Sequence, residues 1–407
     1  MRLHDHEEDN LFDRNKVITA LEQKRSRFQA YGQRQQEQHV RLEERLQRFQ
    51  AQSMSSLEAA LAERSVTWPG SRPTVEFDRA EQLCIPFAQQ WRDHREARAW
   101  AFTVLLNRPV LAVDGSQIAP TKDVWPPVAA IQIGWFINEH RAGGSYTKDL
   151  VFDVLAPDEL EEDADGSSDS GFLNQQVNRV RFVRECEKLC ELMAFYADAE
   201  PMAKPLCFFD GSFIISFAGK MADAMPYTRA VQEVLTCSER YSVPLVGFVD
   251  RSFSHDIISL IETVQDSPGA IPLSDAALLA DYLPKWGDRT PFFVAARADE
   301  LSKWGKAPFY DDVVFAYIRL TADHPPARLE MPRWLLETGR ADEIVDLVRA
   351  ECVVGSGYPY AVETADAVAV ISQQDRQRFY AYYQQILQDT GMTLQQTRKA
   401  MSKQGRR

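Results

Sequence analysis

Apolar positions follow two regimes along the 407-residue chain, with a change near residue 108. Residues 13–63 are rich in Gln, Glu, Arg, Leu and Ala, hold no Pro and only one Gly (Gly32), and read as helix. Val17, Leu21, Phe28, Leu42, Leu46, Phe49, Leu57 and Leu61 make one narrow apolar stripe. Such a stripe suits an arm packed on its own domain or on a twin chain. A coiled-coil dimerisation arm is the sharper alternative, weakened by the polar gap between Phe28 and Leu42. Residues 66–76 carry Pro69, Gly70 and Pro73 and read as a linker, followed by a helix over roughly 78–105.

Beyond 108 the pattern becomes α/β. Short β-rich runs at 110–114, 129–137, 150–155, 206–210, 245–250 and 313–320 alternate with helical segments that include 174–198, 221–240 and 274–283. Val128 to Asn138 and Lys148 to Leu155 pair as an antiparallel hairpin around the Gly143-Gly144 turn. A last helix, about 371–390, carries Phe379, Tyr382, Tyr383, Ile386 and Leu387. The divisions are a helical arm (1–66), a linker and helix (67–105), an α/β domain (106–390) interrupted by an acidic loop (157–172), and a basic tail (391–407).

Composition changes this picture in three ways. Hydrophobic residues at 45% and aromatics at 11% are enough for a real core. The net charge of −13 argues against a general nucleic-acid-coating protein, yet suits an enzyme that gathers carboxylates around metal ions and needs only a local basic track. The six cysteines, Cys84, Cys186, Cys190, Cys207, Cys237 and Cys352, contain no CxxC pair and read as buried free thiols. The N-terminus is charged and no apolar run approaches about 18 residues, so a cytoplasmic protein without a transmembrane helix is expected.

Three strands share a design in which Pro opens an apolar run and Asp closes it. They end at Asp114-Gly115-Ser116, Asp210-Gly211-Ser212 and Asp250-Arg251-Ser252. A lone Asp there is commonly a turn former. The repeated Asp-Gly-Ser of Asp114 and Asp210 favours two carboxylates converging at one sheet end, as hard oxygen donors for Mg²⁺ or Mn²⁺. In the helix 177–198, Phe182, Cys186, Leu189, Met193 and Tyr196 define the core face, with Glu185 at its rim and Glu187 and Glu191 pointing away. Glu185 is thus either a stripe-edge surface residue or a third inward carboxylate. Gly355 to Tyr360 fix a turn at Tyr358-Pro359, and Asp366 lies near the start of the helix after it, where the plain reading is a surface acid favoured by the helix dipole.

The ordered set resembles the NurA nucleases: Val-Asp114-Gly-Ser, Arg-x-x-x-Glu185 on a helix, Phe-Asp210-Gly-Ser, and Tyr358-Pro with Asp366 eight residues on. Val-Gly247-Phe-Val-Asp-Arg-Ser-Phe-Ser, Asp275-Ala-Ala-Leu-Leu, Phe315-Ala-Tyr-Ile-Arg319 and Arg328-Leu-Glu330-Met-Pro-Arg-Trp334 are similar too. The resemblance implies an RNase H-like mixed sheet flanked by helices, with an N-terminal helical extension and a nuclease domain over 106–390. It also implies a Mn²⁺- (or Mg²⁺-) dependent nuclease that cleaves single-stranded DNA and resects duplex ends, working as a homodimer beside a HerA-type hexameric ATPase. Asp114, Glu185, Asp210 and Asp366 become metal ligands and Tyr358 a residue of the site; the family often has His where Asp366 stands. Arg251 becomes a candidate phosphate contact. His255 reads as structural more readily than as a general base, and Trp334 as packing rather than a base platform. Two competing functions are a non-catalytic scaffold that binds the ATPase and DNA, and a phosphatase or actin-like phosphotransferase; a haloacid-type phosphatase wants two Asp flanking one position, and with Ala112-Val113-Asp114 its nucleophile is missing.

Overall fold

The computed structural model describes residues 13–141, 143–144, 146–161, 170–221, 223–266 and 273–396. Among its described residues the N-terminal arm is three helices rather than one: α1 (Arg14–Glu22), α2 (Arg25–Gln50) and α3 (Met54–Glu63). The third starts afresh because the Ser53 hydroxyl accepts from Ser56 N and caps it. Only the second half of the apolar stripe is covered by the domain. Leu46, Phe49, Leu57 and Leu61 are buried, whereas Leu21 and Phe28 are exposed.

The segment read as a linker contains an edge strand, β1 (Gly70–Pro73), and the helix expected over 78–105 is only α4 (His94–Leu105). Gln82 and Leu83 adopt left-handed backbone and Pro86 follows, so no helix can propagate before the Asp93 cap. Next come β2 (Val110–Ile118), the short β3 (Val124–Trp125), β4 (Ala129–Asn138) and β5 (Tyr146–Leu155). The acidic stretch opens with α5 (Pro157–Glu161); residues 162–169 lie outside those described, and α6 (Ser170–Phe195) begins earlier than expected. Then follow β6 (Leu206–Asp210), α7 (Met225–Tyr241), β7 (Leu245–Val249), α8 (Asp256–Val264) and α9 (Asp275–Leu279), the last shorter than the 274–283 expected. The remainder is β8 (Phe293–Ala296), α10 (Glu300–Lys303), β9 (Val313–Ile318), β10 (Ala327–Pro332), α11 (Arg333–Glu337), α12 (Ala341–Val354), α13 (Tyr360–Ala369), α14 (Gln373–Asp389) and β11 (Gln395–Gln396). The basic tail beyond 396 lies outside the described residues.

Among the described residues nine strands form one sheet in the order β1-β8-β9-β10-β7-β6-β2-β4-β5. Within it, β5-β4-β2 are antiparallel and β2-β6-β7 are parallel, the arrangement of an RNase H-like core. The antiparallel strands β10, β9, β8 and β1 widen the sheet beyond β7. Side chains alternate across it, so each strand feeds two cores. Leu111, Val113, Cys207 and Phe209 pack with α6, α7 and α8 on one face. Val110, Ala112, Leu206 and Phe208 pack with α4, α12 and α13 on the other. Helices therefore cover both faces of a mixed sheet. Among the described residues no helix is long and apolar enough to cross a membrane. All six thiols are free; Cys84 and Cys190 are half-buried rather than buried.

Candidate functional site

The parallel pairing of β2 with β6 stops at Val113↔Phe209, while β2 continues to Ile118 against β4. Asp114 therefore does not close its strand; it stands where β2 loses one neighbour and keeps the other. Asp210 closes β6 beside it. The alternation that sends Ala112 and Phe208 to the α12–α13 face carries Asp114 and Asp210 the same way. Tyr358 is on that face as well. Its ring meets Phe248 edge-on at 5.3 Å and its hydroxyl donates to Asp210 Oδ1 at 3.0 Å.

Glu185 arrives from the opposite face on α6, where it is buried. Gly115 lets it in. A β-carbon at Gly115 would stand 2.3 Å from Glu185 Oε1 and 3.0 Å from Arg181 Cγ. The missing side chain leaves a slot beside Asp114 that the glutamate fills. Arg181, one turn earlier on α6, donates from Nη1 to Glu185 Oε1 at 2.5 Å and to the Gly115 carbonyl at 3.0 Å.

These groups feel one another electrostatically. Burial pushes Asp114 up to about 6, helped by the charges of Asp210 and Asp366 and opposed by the Gly115 backbone N–H and Arg181. Burial pushes Glu185 up to about 7; Arg181 opposes the shift, and Asp114 and Asp210 add to it. Asp210 is open to solvent on one side, but the protein packed around the rest raises it, the Tyr358 hydroxyl lowers it and Asp366 raises it again. The Tyr358 phenol is raised by burial and then by Asp210. Mutual repulsion among four carboxylates around one guanidinium describes a single acidic cluster.

Asp366 is exposed on α13, close enough for its charge to act on Asp114 and Asp210. The helix is seated by Gln132, whose amide donates to the carbonyls of Val368 and Ala369 at 3.2 and 3.0 Å. Asp250, Arg251 and His255 are exposed past the end of β7. The Asp250 charge reaches Tyr358. Trp334 is half-buried on α11 and donates its indole N–H to Ser238 Oγ at 3.3 Å, a packing role. Among the described residues, no three His, Cys, Asp or Glu side chains stand close enough to enclose an ion as they are.

Two further residues of the cluster, Arg181 and Gly115, stand inside the sequence motifs without being candidate ligands. Arg181 sits four before Glu185, the spacing that puts both on one helix face, and that spacing is the signal for it. Gly115 reads as a turn glycine but is a strand glycine whose missing side chain admits another residue.

The model of the NurA domain family matches residues 108–371. No curated protein matches the chain. Among solved structures, a crystal structure of NurA with manganese is 12% identical, with 68% of this chain and 88% of that chain covered at a TM-score of 0.39. The catalytic domain of human endonuclease V is 16% identical, with 68% and 92% covered at a TM-score of 0.29.

Proposed function

The chain belongs to the NurA domain family, whose model spans residues 108–371, and from that premise we propose that it is a divalent-metal-dependent DNA nuclease. Its reactions would be single-strand endonucleolytic and 5′–3′ exonucleolytic cleavage, serving end resection and repair at double-strand breaks. One observation carries the reading: Asp114 and Asp210 from adjacent strands share a site with Glu185, which reaches them through the gap at Gly115.

The donor chemistry fits Mn²⁺ or Mg²⁺. All candidate ligands are carboxylate oxygens, the hard donors that such ions take. Asp114, Glu185 and Asp210 would hold the metal, with Asp366 as a further ligand from the solvent side. A bound divalent ion would supply a water acidic enough to give the hydroxide that attacks phosphorus, and would offset charge on the phosphate oxygens. The carboxylates position; none is a covalent nucleophile. Tyr358 would hold the Asp210 carboxylate through its hydroxyl. Arg181 would orient Glu185. Homodimerisation and a HerA-type ATPase partner follow from the family and belong to the same proposal.

A non-catalytic scaffold is the second reading, favoured by one observation: Arg181 already neutralises Glu185. Cleavage of a labelled single-stranded oligonucleotide under Mn²⁺ titration separates the two. The nuclease requires metal-dependent product in the native chain and its loss in Asp114→Asn and Asp210→Asn variants that still fold. The scaffold requires ATPase and DNA binding with no product under any divalent ion.

A further inference from the structure

Asp210 ends its strand at a turn whose other end is anchored two strands away. Gly211 N donates to the Phe248 carbonyl on β7 at 3.1 Å. The turn then crosses β7 at Gly247, where an added β-carbon would lie 2.8 Å from the Gly211 carbonyl oxygen and 3.2 Å from the Phe213 ring. It lands on β10 at Glu330, the residue opposite Gly247 in the sheet register. Glu330 is fully buried. Its Oε2 accepts from Phe213 N at 2.7 Å, and both its oxygens accept from Ser212 Oγ, at 2.9 and 3.0 Å.

A buried carboxylate needs a counter-charge, and Glu330 has one. Arg328 Nε donates to Glu330 Oε1 at 2.6 Å, its Nη1 donates to Asp256 Oδ2 at 2.7 Å, and its guanidinium lies 3.7 Å from the Phe315 ring centre. Asp256 is shared with Arg297, which also reaches Ser254 and Ser216. The loops after β6 and β7 are thus tied to one buried ionic network. Burying so many charges for stability alone is a poor use of them, since apolar replacements commonly match or exceed such networks. Holding a turn in one geometry is a better account.

We propose that Glu330 is a positioning residue of the acidic cluster: by clamping Ser212 and Phe213 it holds the turn that presents the Asp210 carboxylate to a divalent ion. The inference rests on the nuclease reading above. Groups that orient metal ligands typically contribute about 10–100-fold in metal affinity or activity. Glu330 touches neither DNA nor the reacting atoms, so its loss acts on the metal and on turnover, not on DNA affinity.

The test compares the full-length native chain with Glu330→Gln and Ser212→Ala. Glu330→Gln keeps the side-chain volume and leaves Arg328 its Asp256 partner. Ser212→Ala removes one contact to the same carboxylate and leaves the ion pair untouched, so it answers if the first variant fails to fold. Amide hydrogen exchange of the metal-free proteins should quicken about tenfold or more at 211–214 and stay unchanged in α6. The Mn²⁺ concentration for half-maximal binding, followed by electron paramagnetic resonance, should rise about tenfold or more. Turnover should fall by a similar factor, with the DNA KM within about twofold. The two substitutions together should cost no more than the worse one, because both act through one contact. Variants with faster exchange but a native Mn²⁺ curve would overturn the proposal while leaving the nuclease standing. A native chain that neither binds Mn²⁺ nor cuts DNA would overturn the nuclease reading, and this one with it.

Discussion

Tyr358 and Asp210 are 148 residues apart in sequence, yet the phenol donates to the carboxylate at 3.0 Å from a ring seated on Phe248. The bond favours the ionised acid and lowers its pKa against the upward push of burial. Tyr358→Phe keeps the ring and loses only the hydroxyl. Because Asp210 reaches solvent, stability should change by less than about 1 kcal/mol. Mn²⁺-dependent cleavage should fall about tenfold, with its acidic limb moved to higher pH. A variant with native turnover and an unmoved pH profile would assign Tyr358 to packing alone.

Gly115→Ala should separate activity from folding. The new methyl would stand 2.3 Å from Glu185 Oε1 and 3.0 Å from Ile133 Cδ1, and the carboxylate is the end that can swing away. The expected loss of stability is about 1–3 kcal/mol. The expected loss of cleavage is about 100-fold or more, because a displacement of about 1 Å at a catalytic centre costs that much. Thermal melting and a single-turnover assay read the two effects side by side.

The raised acids give stability a definite slope. In the unfolded chain Asp114 and Glu185 ionise near 3.8 and 4.5; in the fold they keep their protons until about 6 and about 7. These two groups therefore bind more protons in the fold across that interval, and their contribution to metal-free stability falls as pH rises from about 4 to about 7, then levels off. Asp275 and Glu351, also pushed up to about 7, act in the same direction. Asp114→Asn should flatten part of the slope and melt roughly 1–3 °C above the native chain at pH 8 in EDTA. Mn²⁺ affinity should run the other way, weakening as pH falls below about 7, because the ligands must lose their protons. An Asp114→Asn variant whose melting point tracks that of the native chain from pH 5 to pH 8 in EDTA would contradict the assignment.

Outside the acidic cluster, Glu76 and Arg289 tie the early segment to the sheet. Arg289 donates from Nη1 and Nη2 to the two Glu76 oxygens at 2.7 and 2.9 Å, and Phe292 N donates to Oε2 at 2.9 Å. Glu76→Ala would leave a guanidinium that is 2% exposed with Asp342, itself 82% exposed, as its remaining carboxylate. Chemical denaturation should show about 3–5 kcal/mol lost, with β1 among the first segments to become protease-sensitive. A loss below about 1 kcal/mol would place that segment outside the folding unit.

Much of the core sheet was legible because each buried strand is an uninterrupted apolar run ended by a polar residue. The same pattern singled out Asp114 and Asp210, and helical spacing put Glu185 at the edge of a core face. What pattern reading missed depends on partners far along the chain. β1 holds two of its four positions open to suspicion, Gly70 and Pro73, and is a strand only because β8 pairs with it. The ladder of β2 runs past Asp114 because β4 continues beside it after β6 has stopped. Glu330 lies in a run buried at every position, and its partners Ser212 and Phe213 are more than 100 residues away. Helix length near 78–105 failed for a local reason: left-handed backbone at Gln82 and Leu83, which composition does not announce.

The slot at Gly115 makes β2 intolerant of changes in length. Its residues face alternate sides, so one residue inserted or deleted between Val110 and Val113 would swing Asp114 toward α6 and set a side chain in the path of Glu185. Apolar residues along this stretch can be exchanged over generations, but the count between the start of the strand and its aspartate is frozen, and indels should be purged there more strictly than substitutions.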